Sequence, residues 1–278
     1  MKNYRKLSRI FSSSDIERLA NGDVEHVMDV SHVYMDSLPQ NFTPADVYEA
    51  CYRDISKNYR FEYFFKNVVA NKILLGRHKM STATLVSEFR VGNNKADCVI
   101  LNGSSVCYEI KTDLDNFSRL NDQLKAYEKV FDKTYVVVSD THREYALSQV
   151  NDDVGVIVLT ARNALSEVRS AKFVCEDVDA SVLIRSLRQS EYISVACQIE
   201  TMPPGLSNTE IFSWCESVFV RAGSDLLRSV FCRTLKKTRS ANKVFSLSLP
   251  RSLLMASLST NLSDAKKANL TRVLNSPI

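Results

Sequence analysis

Asp97, Glu109 and Lys111 interrupt apolar runs at places where a solvated surface does not put charges. Asp97 opens the run ADCVILNG, and Glu109 and Lys111 close the run SVCYEIK. Alternation along a strand places Cys107, Glu109 and Lys111 on one face and Val106, Tyr108 and Ile110 on the other. Between the runs stands Asn102-Gly103, a strong signal for a short hairpin loop. Folding back there brings Asp97 near the Glu109 end of the hairpin. Two carboxylates and an ammonium then share one small site.

Such a grouping suits phosphodiester hydrolysis. The carboxylates of Asp97 and Glu109, with the backbone carbonyl of Ile110, form a hard oxygen donor set for Mg²⁺, with Mn²⁺ as a substitute. The cation polarises a phosphoryl oxygen and acidifies a water, and Lys111 steers that water or answers the developing charge. A Glu-x-Lys triplet by itself equally describes a solvated strand edge with an ordinary ion pair, because short motifs match by chance.

The wider pattern separates these readings. Asp97, eleven intervening residues and Glu109-x-Lys111 are followed by Gln123-Leu-Lys-Ala-Tyr127. Positions i and i+4 lie on one helical face. This ordered set resembles the signature of the PD-(D/E)XK nuclease superfamily, including the Q-x-x-x-Y element of its exonuclease-like and RecB-like branch. The run EIKTDLDNFSRLNDQLKAYEKVFD is similar to a group of uncharacterised bacterial proteins of that superfamily. The resemblance covers residues 46–160. Ala96 stands where many members carry Pro before the first acid, and many others lack that Pro.

The resemblance implies a restriction-endonuclease-like α/β fold and a cation-dependent nuclease leaving 5′-phosphates. It gives Gln123 a place in the site, and Glu62, from a helix before the first strand, as an additional ligand. Glu62 on an outer helix face, paired with Lys66 one turn on, is the plain alternative. Members that cut duplexes often pair, which raises a homodimer or a protein partner. DNA is expected in preference to RNA. Two other functions remain open: a partner-gated defence or effector nuclease, and a non-catalytic nucleic-acid-binding protein on the same fold.

The elements that must hold these residues are legible in outline. Thr43-Pro44-Ala45-Asp46 is a helix start, with a Thr cap and Pro at the first position. Helical spacing then runs through residues 44–75. The first strand spans residues 84–91 and carries Glu88, which serves as a metal ligand, a partner of Lys111 or a solvated acid. Gly92 to Lys95 turn into the Asp97 strand. One of Asp113 and Asp115 is expected to cap the helix that carries Arg119, Gln123 and Tyr127. Strands over residues 134–139 and 154–160 flank a helix. The expected order is α-β-β-β-α-β-α-β, a mixed sheet with helices on both sides. Three regions follow: a helical segment over 1–42, the nuclease-like core over 43–165 and a basic helical region over 166–278.

Composition sets the remaining bounds. Apolar residues at 45% and charged residues at 24% are ordinary for a soluble globular chain. No apolar run is long enough for a membrane helix, and the basic N-terminus is not a secretory signal, so the cytoplasm is expected. Seven cysteines without a C-x-x-C pair argue against a disulfide framework and a zinc site. Residues 181–278 hold 13 Lys and Arg against 6 Asp and Glu. That excess suits a polyanion partner, with Arg233, Lys236 and Lys237 as nucleic-acid contacts beside Lys66, Arg119 and Tyr127.

Overall fold

The computed structural model describes residues 2–174 and 176–278, so Cys175 lies outside the described residues. Contacts divide the chain into two compact units. One holds the residues up to Arg77 together with Ala161–Asn163 and Ala241–Ile278; the other holds His78–Thr160 and Ala164–Ser240. The expected boundaries after residues 42 and 165 are therefore corrected. The physical reason is end-to-end packing in the first unit. Helices Ser13–Ala20 and Asp264–Leu274 are joined by a Lys266–Glu17 ion pair at 2.5 Å and by Asn269 Nδ2 donating to the Ala20 carbonyl at 2.8 Å. Partners 249 residues apart leave no local signal.

In the first unit, α1 (Pro44–Asn58) starts as its sequence dictates. The Thr43 amide donates to Asp46 Oδ2 at 2.8 Å, and Thr43 Oγ1 receives the Asp46 amide at 3.4 Å. Val47, Tyr48, Cys51 and Ile55 form its buried stripe. Tyr48 donates to the Ile10 carbonyl at 3.0 Å and meets the Phe11 ring edge-on. The following helix, α2 (Glu62–Val69), runs into a π-helical turn at Ala70–Leu74. Asn67 is fully buried in α2; its Nδ2 donates to the Arg251 carbonyl and its Oδ1 accepts the Met255 amide.

The second unit is built on a six-stranded open sheet. Its strands are β1 (Thr84–Val91), β2 (Asn94–Leu101), β3 (Ser105–Lys111), β4 (Lys133–Ser139), β5 (Gly155–Leu159) and β6 (Leu165–Arg169), in that spatial order. The first three are antiparallel, β3, β4 and β5 are parallel, and β6 returns antiparallel on β5. This mixed α/β sheet carries the expected order through β5. The sixth strand corrects the expectation of helix beyond residue 165, because LSEVR is too short and too exposed to show a strand period. Two hairpins obey their turn residues: Gly92 and Gly103 take φ of 58° and 76°, where a side chain is disfavoured.

Helices α3 (Leu120–Glu128), α4 (Arg143–Gln149), α5 (Gln189–Ile199) and α6 (Ser224–Thr238) contribute to the core of this unit. Leu120, Leu124 and Tyr127 from α3 join Cys107, Val136 and Val138 of the sheet. Among the described residues, no helix is long and apolar enough to cross a membrane.

The basic stretch of α6 divides by burial. Arg228 is nearly buried; it pairs with Asp132 at 3.2 Å and donates to the Phe131 and Glu176 carbonyls. Arg239, just past α6, pairs with Glu191 of α5 at 2.7 Å and lies 4.9 Å from the Phe89 ring centre. Burial pushes the Glu191 carboxyl up, but hydrogen bonds from Arg239 and the Arg188 amide outweigh it and hold the carboxyl below its usual range. These two arginines fasten helices to the sheet unit. Glu191→Gln leaves Arg239 without its counter-charge, so guanidinium-chloride unfolding should show a loss of about 3 kcal/mol at pH 7. The depressed carboxyl makes this contribution present above its unfolded value of 4.5 and lost as pH falls below it.

Candidate active site

The registers of β1, β2 and β3 put three carboxylates in one row. Ser87 lies against Cys98 and Phe89 against Ala96, which leaves Glu88 opposite Asp97. Cys98 lies against Tyr108, which carries Asp97 opposite Glu109. The β2–β3 ladder ends at Cys98 and Tyr108. Beyond it the Asp97 side chain takes over: its Oδ2 accepts the Ile110 amide at 2.7 Å. In a strand the N–H and C=O of one residue point the same way, so the Ile110 carbonyl faces the Asp97 side as well.

Glu109 is 2% exposed and is held from three directions. Gln123 Nε2 donates to its Oε1 at 2.6 Å, and Lys111 Nζ lies 3.3 Å from the same oxygen. Tyr127 lies 3.0 Å from Oε2 and 2.8 Å from the Lys95 carbonyl, two acceptors for one hydroxyl hydrogen. Gln123 Oε1 in turn accepts from Lys111 Nζ at 3.0 Å. Gln123 and Tyr127 reach the same carboxylate because four residues make about one turn of α3. Burial, then the Asp97 charge, pushes the Glu109 carboxyl up to about 7; Lys111 and the Tyr127 hydroxyl oppose this. Neighbouring Cys107 is driven well above the ordinary thiol range by burial and by these two carboxylates.

Glu88 has a feature that sequence reading missed: its φ is +53°. A glutamate there is strained by about 1–2 kcal/mol. The backbone reversal has a visible effect. Val86 and Phe89 belong to one core cluster, as do their partners Val99 and Ala96. A spacing of three breaks the strand's period of two, and the break falls at the Glu88–Asp97 pair. Glu88 is thereby exposed, and carboxylate oxygens of Glu88 and Asp97 lie within 4.8 Å of each other.

The remaining expected site residues come from helices or helix ends. Glu62 and Lys66 belong to the first unit, where they pair one helical turn apart at 2.5 Å. Arg119 is exposed at the start of α3. Tyr127 is fully buried, which corrects its reading as a nucleic-acid contact: it positions Glu109. Arg233 donates to Gln198, and Lys236 and Lys237 lie at the solvated end of α6. Asp113 and Asp115 do not cap α3, which starts five residues after Asp115. Asp115 closes a turn onto the Thr112 amide and hydroxyl at 2.8 and 2.7 Å, and Asp113 receives the Ser139 hydroxyl at 2.5 Å. Both bonds fix the loop that leaves Lys111.

The family model described as bacteriophage P4 protein cII matches residues 56–259, and the chain belongs to that family. Protein cII of Enterobacteria phage P4 is 32% identical over 116 residues, which is 40% of this chain. The matched stretch spans 44% of the phage protein, less than half its length. A solved structure, the SPO1766 protein of unknown function from Silicibacter pomeroyi, aligns over 45% of this chain and 86% of its own, with 18% identity and a TM-score of 0.30.

The raised Glu109 carboxyl sets a sign for stability in metal-free buffer. The folded state binds the extra proton between pH 4.5 and about 7, so ionising Glu109 destabilises the fold as pH rises through that window. Glu109→Gln removes that cost. The stability difference favouring the variant should grow from pH 4.5 to 7, reach on the order of 2–3 kcal/mol, and level off above. Denaturant unfolding at pH 5, 6, 7 and 8 checks this, and a difference that shrinks with rising pH would contradict the assignment.

Proposed function

We propose that this member of the bacteriophage P4 protein cII family hydrolyses phosphodiester bonds of nucleic acid, DNA in preference to RNA, with Mg²⁺ or Mn²⁺ held by Asp97 and Glu109. Glu88 and the Ile110 carbonyl stand beside them as further donors. The observation that carries the reading is the carboxylate row across three strands, gathered at a break in the sheet with the half-buried Lys111 against Glu109. Gathering like charges is costly, and a hard cation relieves it. The donor set fits such a cation: the row supplies carboxylate oxygens, and burial with the Glu109 and Asp97 charges drives the Cys107 thiol well above its ordinary range. The order α-β-β-β-α-β, with the Asp, Glu-x-Lys and Gln-x-x-x-Tyr residues converging, supports a PD-(D/E)XK relationship and a restriction-endonuclease-like sheet.

When bound, the cation supplies Lewis acidity toward a phosphoryl oxygen and a lowered pKa for a nearby water. The chain's own groups do the rest. Lys111 Nζ, held between Glu109 and Gln123, presents its remaining hydrogens toward the attacking water and the charge that grows on the phosphate. Gln123 ties Lys111 and Glu109 into one unit through its two ends, so neither can swing independently. Tyr127 fixes the second oxygen of Glu109. Asp97 is oriented by the Ile110 amide.

Cleavage of supercoiled plasmid and of labelled single- and double-stranded DNA, with Mg²⁺, Mn²⁺ or EDTA, tests this. Asp97→Ala and Lys111→Ala should each lose about 100-fold or more of the cutting. Cutting that persists in both variants would sink the mechanism. No cutting by any form, with salt-sensitive binding retained, would favour a non-catalytic nucleic-acid-binding protein. Glu88→Gly separates strain from function: it should raise unfolding stability by about 1 kcal/mol while weakening metal-dependent activity. A variant that loses both stability and activity would return Glu88 to a structural role.

A further inference from the structure

A second site lies wholly in the first unit, on residues the proposed hydrolysis does not use. A cleft of about 680 Å³ opens between α1, the π-helical turn and the Ala161–Asn163 loop. Four cationic side chains line it: Arg53, Lys72, Arg162 and Arg251. Among the described residues, none of the four forms an ion pair. This is unlike Arg18, Arg169, Arg221, Arg228 and Arg239, each of which meets a carboxylate. The cleft's single acid, Glu49, is already engaged, its Oε1 accepting the Ser252 amide at 3.1 Å. The balance of charge is strongly positive and unsatisfied.

The walls are shaped as well as charged. Tyr52 and Phe64 line the cleft with rings 5.2 Å apart; Phe64 is buried and Tyr52 half-buried. Lys72 and Asn71 stand on the π-helical turn, a costly irregularity that helices keep chiefly at functional places. Across from them Asn163 has φ of 58° and accepts a hydrogen bond from Arg60. Two strained segments therefore present side chains to one cavity. Its volume is that of a small-molecule site.

We propose that this cleft binds a nucleoside di- or triphosphate, with the four cations on the phosphates and the Tyr52 ring beside the base. Arginine forks match phosphate oxygens in pairs, and an aromatic face receives any base. Three or four negative charges answer four unpaired cations and one engaged acid. There is no glycine-rich phosphate loop, so recognition rests on side chains.

Binding is measured by calorimetry in metal-free buffer with ATP, GTP, inorganic tripolyphosphate and a short single-stranded oligodeoxynucleotide. The full chain carrying Asp97→Ala is used, so that the result is independent of the carboxylate site and of whether that site cuts. ATP or GTP should bind one to one. Arg53→Glu and Arg162→Glu, both at exposed positions, should each weaken binding about tenfold or more. Lys57→Glu, the same charge change at an exposed position outside the cleft, should change it about twofold or less. Circular dichroism confirms that each variant is folded. Absence of nucleotide binding at millimolar concentration overturns the proposal, as does equal weakening by Lys57→Glu. Tripolyphosphate binding as tightly as ATP would remove the nucleoside from the assignment. An oligonucleotide that binds more tightly and displaces ATP would make the cleft a strand-binding groove instead.

Discussion

Glu109 is taken almost wholly out of water beside a second carboxylate, and the local structure of the sheet unit follows from what that requires. A lone buried carboxylate ionises at a cost of several kcal/mol unless its oxygens are met by donors and its charge by a counter-charge. Oε1 meets both Gln123 and Lys111, and Oε2 meets the Tyr127 hydroxyl. Each partner comes from an element whose position is fixed for other reasons. Lys111 is two residues along the same strand, and α3 is held by Leu120 and Leu124 in the core. Burial and then the Asp97 charge still push the carboxyl up to about 7, because Lys111 and the Tyr127 hydroxyl offset them only in part. A site so balanced responds to one added charge.

The sheet yields at the same place. A regular β1–β2–β3 meander would turn residues 88, 97 and 109 alike and keep the ladders closed. Instead the β2–β3 pairing stops at Asp97, and the β1–β2 alternation slips at Glu88. The two irregularities are coupled. The left-handed backbone at Glu88 keeps Phe89 in the core while leaving the carboxylate exposed next to Asp97. An asparagine or glycine would hold this conformation at lower cost, so the presence of glutamate points to a use for its charge.

Much of this was readable from residue order alone because its rules are local. The hairpin at Asn102-Gly103, the alternation placing Glu109 with Lys111, and the one-turn spacing of Gln123 and Tyr127 all act over a few residues. Thr43-Pro44-Ala45-Asp46 is legible for the same reason. What escaped reading depends on distant partners or on backbone state. The φ of Glu88 has no signature in the run LVSEFRV. The fully buried state of Tyr127 depends on how α3 lies on β2 and β3. The joining of the two chain ends in one unit rests on contacts such as Lys266 with Glu17. β6 was overlooked because an edge strand of five residues with exposed positions lacks a usable period.

Charge runs were the least informative feature, and the reason is general. A basic residue's role is set by what its head group meets, which composition does not record. In and just beyond α6, Arg228 and Arg239 are nearly buried and spend their charge on Asp132 and Glu191. Lys237, one residue past Lys236, is solvated. Arg53, Lys72, Arg162 and Arg251 are scattered far apart in sequence, form no run at all, and converge on one cleft without an ion pair among the described residues. A surface cation without a carboxylate is ordinary by itself. Four in one walled cavity are costly in mutual repulsion, and an anion is what removes that cost. At Glu88, Asp97 and Glu109 the fold likewise gathers like charges beside a strained backbone position, and the proposed cation has the sign that such a group attracts.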